Sequence, residues 1–139
     1  MTLYLDTSAL VELVAPRRDV NPLIAAVAGA DRIITAVITL AEATCALERA
    51  RRGGILRRSQ HRRARAEVWS AWPGLGRIQV DEILATRGAE LGEHHGLRGY
   101  DAIHLSVALS AALHEAVTLA SFDDELVRAA RTEGLPTVG

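Results

Sequence analysis

The chain has 139 residues, 49% of them hydrophobic, and a formal net charge of −1, values typical of one globular domain over residues 1–139. Its only cysteine, Cys45, excludes an internal disulfide and favours a reducing compartment, and we expect this thiol to pack in the core. The N-terminus lacks a basic signal-peptide region and no apolar run approaches the ~20 residues of a membrane span, so we expect a cytoplasmic protein without membrane contact.

Short apolar runs alternate with helical patterns along the whole chain. The pattern predicts strands at residues 3–6, 32–36, 77–80 and 116–121, with a short last strand at 136–139. It predicts helices at residues 8–14, 21–30, 39–54, 59–72, 81–96, 99–114 and 123–134. Apolar strands that alternate with helices form parallel sheets covered on both faces, and such sheets bind ligands beyond the carboxyl ends of their strands.

Capping residues indicate where several helices begin and end. We expect Thr7 or Ser8 to cap the first helix, and Asn21 to cap the second with Pro22 at its first position. Glycines at 53–54 are expected to end the third helix.

Five carboxylates fall where they could reach one edge of this sheet. Asp6 ends the first strand, and Asp123 and Asp124 follow the fourth. Glu42 lies in the first turn of the helix after the second strand, and Asp101 lies in the first turn of the helix at 99–114. Each one alone has an ordinary explanation as a cap or as a first-turn acid that interacts with the helix dipole.

Carboxylates that share one edge need a cation. Like charges repel, and their pKa values rise unless a positive charge lies between them. Oxygen ligands without a cluster of Cys or His favour Mg²⁺ or Mn²⁺. If the carboxylates converge, the sequence predicts a site for one of these ions.

Four segments, in this order, resemble the PIN domain family, and specifically its VapC-like toxin ribonucleases: YLDTSALVEL, TLAEATCALERA, LRGYDAIHLSVAL and TLASFDDELVRAA. The resemblance covers nearly the whole chain. It implies a three-layer α/β/α sandwich with a short central parallel sheet. It also implies a Mg²⁺- or Mn²⁺-dependent endoribonuclease that is the toxin of a toxin–antitoxin pair. The catalytic and metal-binding residues that it implies are Asp6, Glu42, Asp101 and Asp123.

The resemblance gives supporting roles near the site to Ser121 and to either Thr7 or Ser8. Asp124 could replace or assist Asp123 as the last acid. His104 follows Asp101 by one helical turn, and it either orients that carboxylate or is a satisfied core histidine.

Two further pairs are interpreted as structural. His94 and His95, near a helix end, are expected to be solvent-facing cap residues. Trp69 and Trp72, three residues apart, are expected to pack against the protein and not to stack on bases.

All 16 basic residues are arginines, and eight of them lie between positions 49 and 65, a window without any acid. This arginine cluster consists of Arg49, Arg51, Arg52, Arg57, Arg58, Arg62, Arg63 and Arg65. It could contact RNA phosphates, hold a protein partner, or form an ordinary solvated helical face.

The resemblance implies three partners: an RNA substrate, a small VapB-like antitoxin whose tail blocks the site, and a second copy in a homodimer. Two other enzyme or signalling classes also gather acids at strand ends. A receiver-type phospho-acceptor needs a Lys, and the chain has none; a haloacid-dehalogenase-like phosphatase needs an Asp where Ser8 stands. The remaining alternative is a catalytically silent PIN-like domain that binds RNA or protein.

Overall fold

The computed structural model describes all 139 residues. The strands are β1 (Thr2–Leu5), β2 (Arg32–Ala36), β3 (Gly76–Ile78), β4 (Val117–Ala120) and β5 (Thr137–Val138). They form one sheet in the order β3-β2-β1-β4-β5, and every neighbouring pair is parallel. The helices are α1 (Thr7–Val14), α2 (Asn21–Gly29), α3 (Thr39–Arg52), α4 (Arg58–Ala71), α5 (Glu82–His95), α6 (Gly99–Ala112) and α7 (Asp124–Thr132), and a 3₁₀ turn spans Trp72–Gly74.

Helices cover both faces of the sheet, because side chains alternate along the central strands. On β1, Leu3 and Leu5 pack with residues of α1 to α4, while Tyr4 between them packs with α6 and α7. The predicted three-layer α/β/α sandwich with a short parallel sheet is confirmed, and each predicted helix and strand is present with ends shifted by at most a few residues. None of the helices combines the length and the apolar character that a membrane crossing requires.

Two predicted caps were wrong. Asp6 is the N-cap of α1 and not a strand residue, since its backbone is extended and its side chain accepts from the N–H of Ala9. The helix therefore starts at Thr7, and neither Thr7 nor Ser8 caps it. Helix α2 begins with Asn21 inside it, and the side chain of Asp19 accepts the Asn21 N–H.

Helices α5 and α6 pack closely, which fixes the start of α6. A Cβ added at Gly88 would lie 3.1 Å from Ile103 Cδ1, and one at Gly92 would lie 3.1 Å from the Cβ of Ala102. Small residues on α5 therefore let the backbones of the two helices approach. This contact holds the first turn of α6, which carries Asp101, in place.

Three side-chain expectations were wrong. Cys45 is exposed, because it lies on the outer face of α3. His95 is mostly buried and pairs with Glu133 at 2.7 Å, whereas only His94 faces solvent. Trp72 packs as expected, but Trp69 is 46% exposed with the Arg65 guanidinium above its ring.

Candidate active site

The strand order places one crevice at the carboxyl edge of the sheet. Along the chain, β2 and β3 extend the sheet from one side of β1, and β4 and β5 extend it from the other. Open α/β sheets bind ligands at such a switch in direction. Asp6 follows β1 and Ser121 follows β4, and their strands pair through Leu5 and Ala120. These two residues therefore line the crevice from both sides.

Asp6 is 2% exposed, and its carboxylate is held by three hydrogen-bond donors. One oxygen accepts from Ser8 Oγ at 2.7 Å and from the Ala9 N–H at 2.8 Å, while the other accepts from Ser121 Oγ at 2.6 Å. Burial raises the pKa of Asp6, although these hydrogen bonds oppose the rise. The side chain is thus fixed in one orientation before any ligand binds.

The two serines also bind the segment that follows β4, Ser8 from across the crevice and Ser121 from within that segment. Ser8 Oγ accepts the N–H of Phe122 at 2.8 Å, and Ser121 Oγ accepts the N–H of Asp123 at 3.0 Å. Of the two residues considered for a supporting role after β1, Ser8 contacts Asp6, whereas Thr7 contacts Glu42.

Glu42, in the first turn of α3, accepts two hydrogen bonds at one oxygen. Thr7 Oγ1 and His104 Nε2 both donate to Oε1 at 2.8 Å. Burial alone would raise the pKa of Glu42, but the bonds from His104 and Thr7 outweigh it and lower that pKa below its usual value. Glu42 is therefore kept ionised.

His104 lies inside the protein, 1% exposed, and links Glu42 to the core. Its Nδ1 lies 2.8 Å from the hydroxyl of Tyr4, which is fully buried. Since Nε2–H donates to Glu42, Nδ1 accepts the phenol proton in the neutral imidazole. The sequence suggested that His104 orients Asp101 or fills the core; the structure shows it bonded to Glu42.

Asp101 is half-buried at the start of α6, and it lies among the other carboxylates. Its pKa is raised to about 6, first by burial and then by the negative charges of Asp123, Asp6 and Glu42. Contacts link the four acids: Ser121 Oγ bonds both Asp6 and the N–H of Asp123, and His104, one turn after Asp101, bonds Glu42. We call this group the acidic rim (Asp6, Glu42, Asp101 and Asp123).

The last acid of the rim is Asp123 and not its neighbour. Asp123 caps α7, and its Oδ1 accepts the N–H of Leu126 at 2.9 Å. Asp124 is exposed in the first turn of the helix and is not among the groups whose charge raises the pKa of Asp101. Of the two adjacent aspartates, the carboxylate of Asp123 therefore lies at the rim and that of Asp124 faces solvent.

The acidic rim fits a hard divalent cation in its chemistry, but it does not form a complete set of protein ligands. No group of three His, Cys, Asp or Glu side chains is arranged to hold an ion by itself. Mg²⁺ usually keeps several waters and is held by one or two carboxylates, a number that Asp6 and Asp101 could supply. A cation there would also relieve the repulsion that raises the pKa of Asp101.

Comparison with known proteins identifies the family. The family model described as "PIN domain" matches residues 3–132. The chain belongs to the PIN domain family. No curated protein matches it.

Solved structures share the fold of this PIN domain at low sequence identity. FitAcB from Neisseria gonorrhoeae has a TM-score of 0.71 and 18% identity, over 99% of this chain and 96% of that one. A toxin-antitoxin complex from Klebsiella pneumoniae has a TM-score of 0.67 and 19% identity, over 99% and 96%. VapBC-5 from Mycobacterium tuberculosis, of the VapBC family of toxin-antitoxin systems, has a TM-score of 0.66 and 21% identity, over 99% and 97%.

The members of the arginine cluster of the PIN domain differ in whether they pair with a carboxylate. Glu48, one residue before the window, pairs with Arg51 at 2.7 Å and Arg52 at 2.8 Å, and hydrogen bonds from these arginines lower the pKa of Glu48 to about 2. Arg63 pairs with Glu67 at 3.6 Å. The arginines without a carboxylate partner are Arg49, Arg57, Arg58, Arg62 and Arg65.

The members of the cluster on α3 lie towards the end of that helix that is remote from the acidic rim. Helix α3 starts at the rim with Glu42 and ends at the Gly53 turn, about 15 Å further along its axis. Arg49 is the member of the cluster nearest to Glu42 along this helix.

Proposed function

We propose that this PIN domain is a Mg²⁺- or Mn²⁺-dependent endoribonuclease and the toxin of a toxin–antitoxin pair. The observation that carries the proposal is the position of Asp6, buried and fixed by three donors at the switch point of the sheet. It shares the rim with Asp101, whose pKa is raised by burial and by the other rim carboxylates. A protein retains charges in such costly positions where they have a task.

The chemistry follows from the rim. A bound divalent cation supplies a water of lowered pKa and neutralises charge that develops on the phosphoryl oxygens. Asp6 and Asp101 would hold the ion, with Asp123 facing it from α7. Glu42 would orient the attacking water and accept its proton, a role supported by the hydrogen bonds from Thr7 and His104 that keep it ionised. Attack by water would break the bond from phosphorus to the 3′ oxygen, which would take up a proton from solvent, and the products would be a 5′-phosphate and a 3′-hydroxyl.

The proposed partners follow from the family and from the fold. Two of the similar structures are described as a toxin-antitoxin complex and as a member of the VapBC toxin-antitoxin systems. We infer an RNA substrate, a VapB-like antitoxin that blocks the rim, and a homodimer for this chain, acting in the cytoplasm.

RNA cleavage by purified protein tests the proposal. The wild-type protein should cleave a mixed RNA in Mg²⁺ or Mn²⁺, and cleavage should stop in excess EDTA. The fragments should be ligated by a reaction that requires a 5′-phosphate. Asp101→Asn, purified in parallel, controls for contaminating nuclease. Equal cleavage by Asp101→Asn or in EDTA would refute the mechanism, and RNA binding without cleavage would favour the catalytically silent alternative.

A further inference from the structure

A groove of about 330 Å³ opens beside the acidic rim, between α3 and the start of α6. Its lining includes Thr7 and Glu42 at the rim, Cys45 and Arg49 further along α3, and Tyr100 of α6. Glu42, Cys45 and Arg49 share one face of α3, because residues three, four and seven apart lie on the same side of a helix. The groove thus runs from Glu42 outward along α3, and it has the size of a small-ligand site.

Tyr100 has features of a binding residue. The chain has five Phe, Trp and Tyr residues, and each of the other four rings has a partner. Tyr4 packs edge-on against His104, and an arginine lies over each of Phe122, Trp69 and Trp72. Tyr100 has neither a stacked partner nor a hydrogen bond through its hydroxyl, and it is 63% exposed. It also directly precedes Asp101, so its ring lies at the border of the acidic rim.

Arg49 supplies the positive charge of the groove. It is exposed and has no carboxylate partner, unlike Arg51 and Arg52 on the same helix. It lies about 10 Å from Glu42 along the axis of α3. A guanidinium at this distance can bind a phosphate that neighbours one held at the rim, whereas the rim itself repels phosphates that no cation neutralises.

We propose that this groove is a subsite for one unpaired nucleotide of the RNA, next to the phosphate that is cut. Its base stacks on Tyr100, and its phosphate pairs with Arg49. Single-stranded RNA is the occupant that fits, because every base has a face for stacking and every nucleotide carries one negative charge. The inference rests on the proposed function, and it adds two residues outside the acidic rim, Tyr100 and Arg49, that position the RNA beside it.

Binding of a fluorescent single-stranded RNA, measured by anisotropy in Mg²⁺, tests the subsite. An Asp123→Asn background slows cleavage during the measurement, and it keeps Asp6 and Asp101, the two carboxylates that would hold the ion. Tyr100→Leu keeps the apolar bulk but removes the aromatic face, and it should weaken binding about fivefold or more, while Tyr100→Phe should bind as well as the parent. Arg49→Gln should weaken binding and reduce the log–log salt slope by about 0.7, and Arg87→Gln, an exposed arginine of α5, should change neither.

The single cysteine gives an independent readout without a change to Tyr100 or Arg49. Cys45 is the only thiol and lies in the groove, so N-ethylmaleimide should react with it alone. Saturating RNA should slow this reaction, and the alkylated protein should bind RNA more weakly. In Cys45→Ser, treatment with the same reagent should leave the RNA affinity at its value before treatment.

The outcomes separate the subsite from the proposed function. If wild type cleaves RNA but Tyr100→Leu binds like Tyr100→Phe and RNA leaves the alkylation rate unchanged, the subsite is refuted and the nuclease assignment stands. If wild type does not cleave but Tyr100→Leu and Arg49→Gln still weaken binding, the nuclease assignment fails and the subsite stands. If a bound antitoxin slows alkylation and RNA does not, the groove is a protein contact and the inference is overturned.

Discussion

The acidic rim and the arginine cluster are the two most highly charged regions of the chain, and they differ in how the fold treats the charge. Asp6 is buried and fixed by three donors, and Glu42 is fixed by two, so these carboxylates have defined orientations. In the arginine cluster, two arginines, Arg51 and Arg52, share Glu48 at the surface, and most of the others project into solvent.

This difference decides how much each region says about function. Burying and crowding carboxylates costs free energy, and the raised pKa of Asp101 is a direct sign of that cost. An exposed arginine costs little free energy of folding at any surface position, so the clustering of arginines alone does not establish a binding site. The buried and crowded carboxylates of the rim are therefore evidence for a function. A function for the arginine cluster requires a binding measurement.

The largest expected effect is the loss of cleavage when the rim loses a charge. Asp6→Asn, Glu42→Gln, Asp101→Asn and Asp123→Asn should each lower kcat by about 100-fold or more, since even residues that only orient metal ligands contribute about 10- to 100-fold. Asn caps a helix as well as Asp does, so Asp123→Asn keeps the start of α7 intact.

Asp124→Asn is the matched control for this series, because Asp124 is exposed and lies one residue from Asp123. Its cleavage rate should equal that of wild type. A loss in Asp124→Asn with normal activity in Asp123→Asn would exchange the two roles.

The next effect concerns the hydrogen bonds that position Glu42. His104→Leu removes the side-chain partner of the buried Tyr4 hydroxyl, so the free energy of unfolding should fall by about 1–3 kcal/mol. Tyr4→Phe should also destabilise the protein, since it leaves His104 Nδ1 unpaired. In urea unfolding, the double variant should lose clearly less than the sum of the two single losses. Strict additivity would show that the two side chains act independently.

A smaller effect is a gain in stability when repulsion in the rim is removed. In the metal-free protein Asp101 has a pKa of about 6, above its ordinary value, so the folded state binds more protons than the unfolded state between about pH 4 and 6. The stability of wild type should therefore fall as pH rises through this range. Asp101→Asn should remove that part of the pH dependence and gain about 1–2 kcal/mol above pH 7, allowing for the solvent that screens a half-buried group.

Thermal or urea unfolding of both proteins in EDTA, from pH 4 to 8, measures this difference. Asp124→Asn should follow wild type across the same range. A variant Asp101→Asn that is less stable than wild type above pH 7 would contradict the repulsion inferred for the rim.

Sequence reasoning located the acids because strand ends and helix starts meet at one edge of a parallel sheet. It could not assign His104, since the spacing to Asp101 describes one helix, whereas the bond to Tyr4 depends on how α6 packs on β1. It misplaced the cap of α1 because the start of the helix depends on the backbone conformation of Asp6, which is extended. It also placed Cys45 in the core, since α3 has apolar residues on both sides of that position and only the packing shows its outward face.

The smallest expected effect is in the arginine cluster. Changing Arg57, Arg58, Arg62 and Arg63 together to Gln should weaken RNA binding and flatten its salt dependence, each lost phosphate contact changing the log–log slope by about 0.7–0.9. Cleavage of a short minimal RNA should change far less, because the rim is untouched. An unchanged slope, together with loss of the antitoxin or of the dimer in size-exclusion chromatography, would identify the cluster as a protein interface.

Glu48→Gln tests the same surface in the opposite direction. It releases Arg51 and Arg52 from their shared carboxylate, so RNA affinity should rise slightly if the cluster contacts phosphates. An RNA affinity equal to that of wild type would indicate that these two arginines do not face the RNA.

Cation binding at the rim tests the account most directly, and titration calorimetry with Mn²⁺ and with Mg²⁺, supported by thermal unfolding, measures it. Wild type should bind the ion, and its Tm should rise with ion concentration, because a ligand that binds only the folded state stabilises it. Asp101→Asn should lose the binding and the rise in Tm, while Asp124→Asn should keep both. Equal binding by wild type and Asp101→Asn, or no binding by wild type at millimolar Mn²⁺, would contradict the assignment of the acidic rim as a metal site.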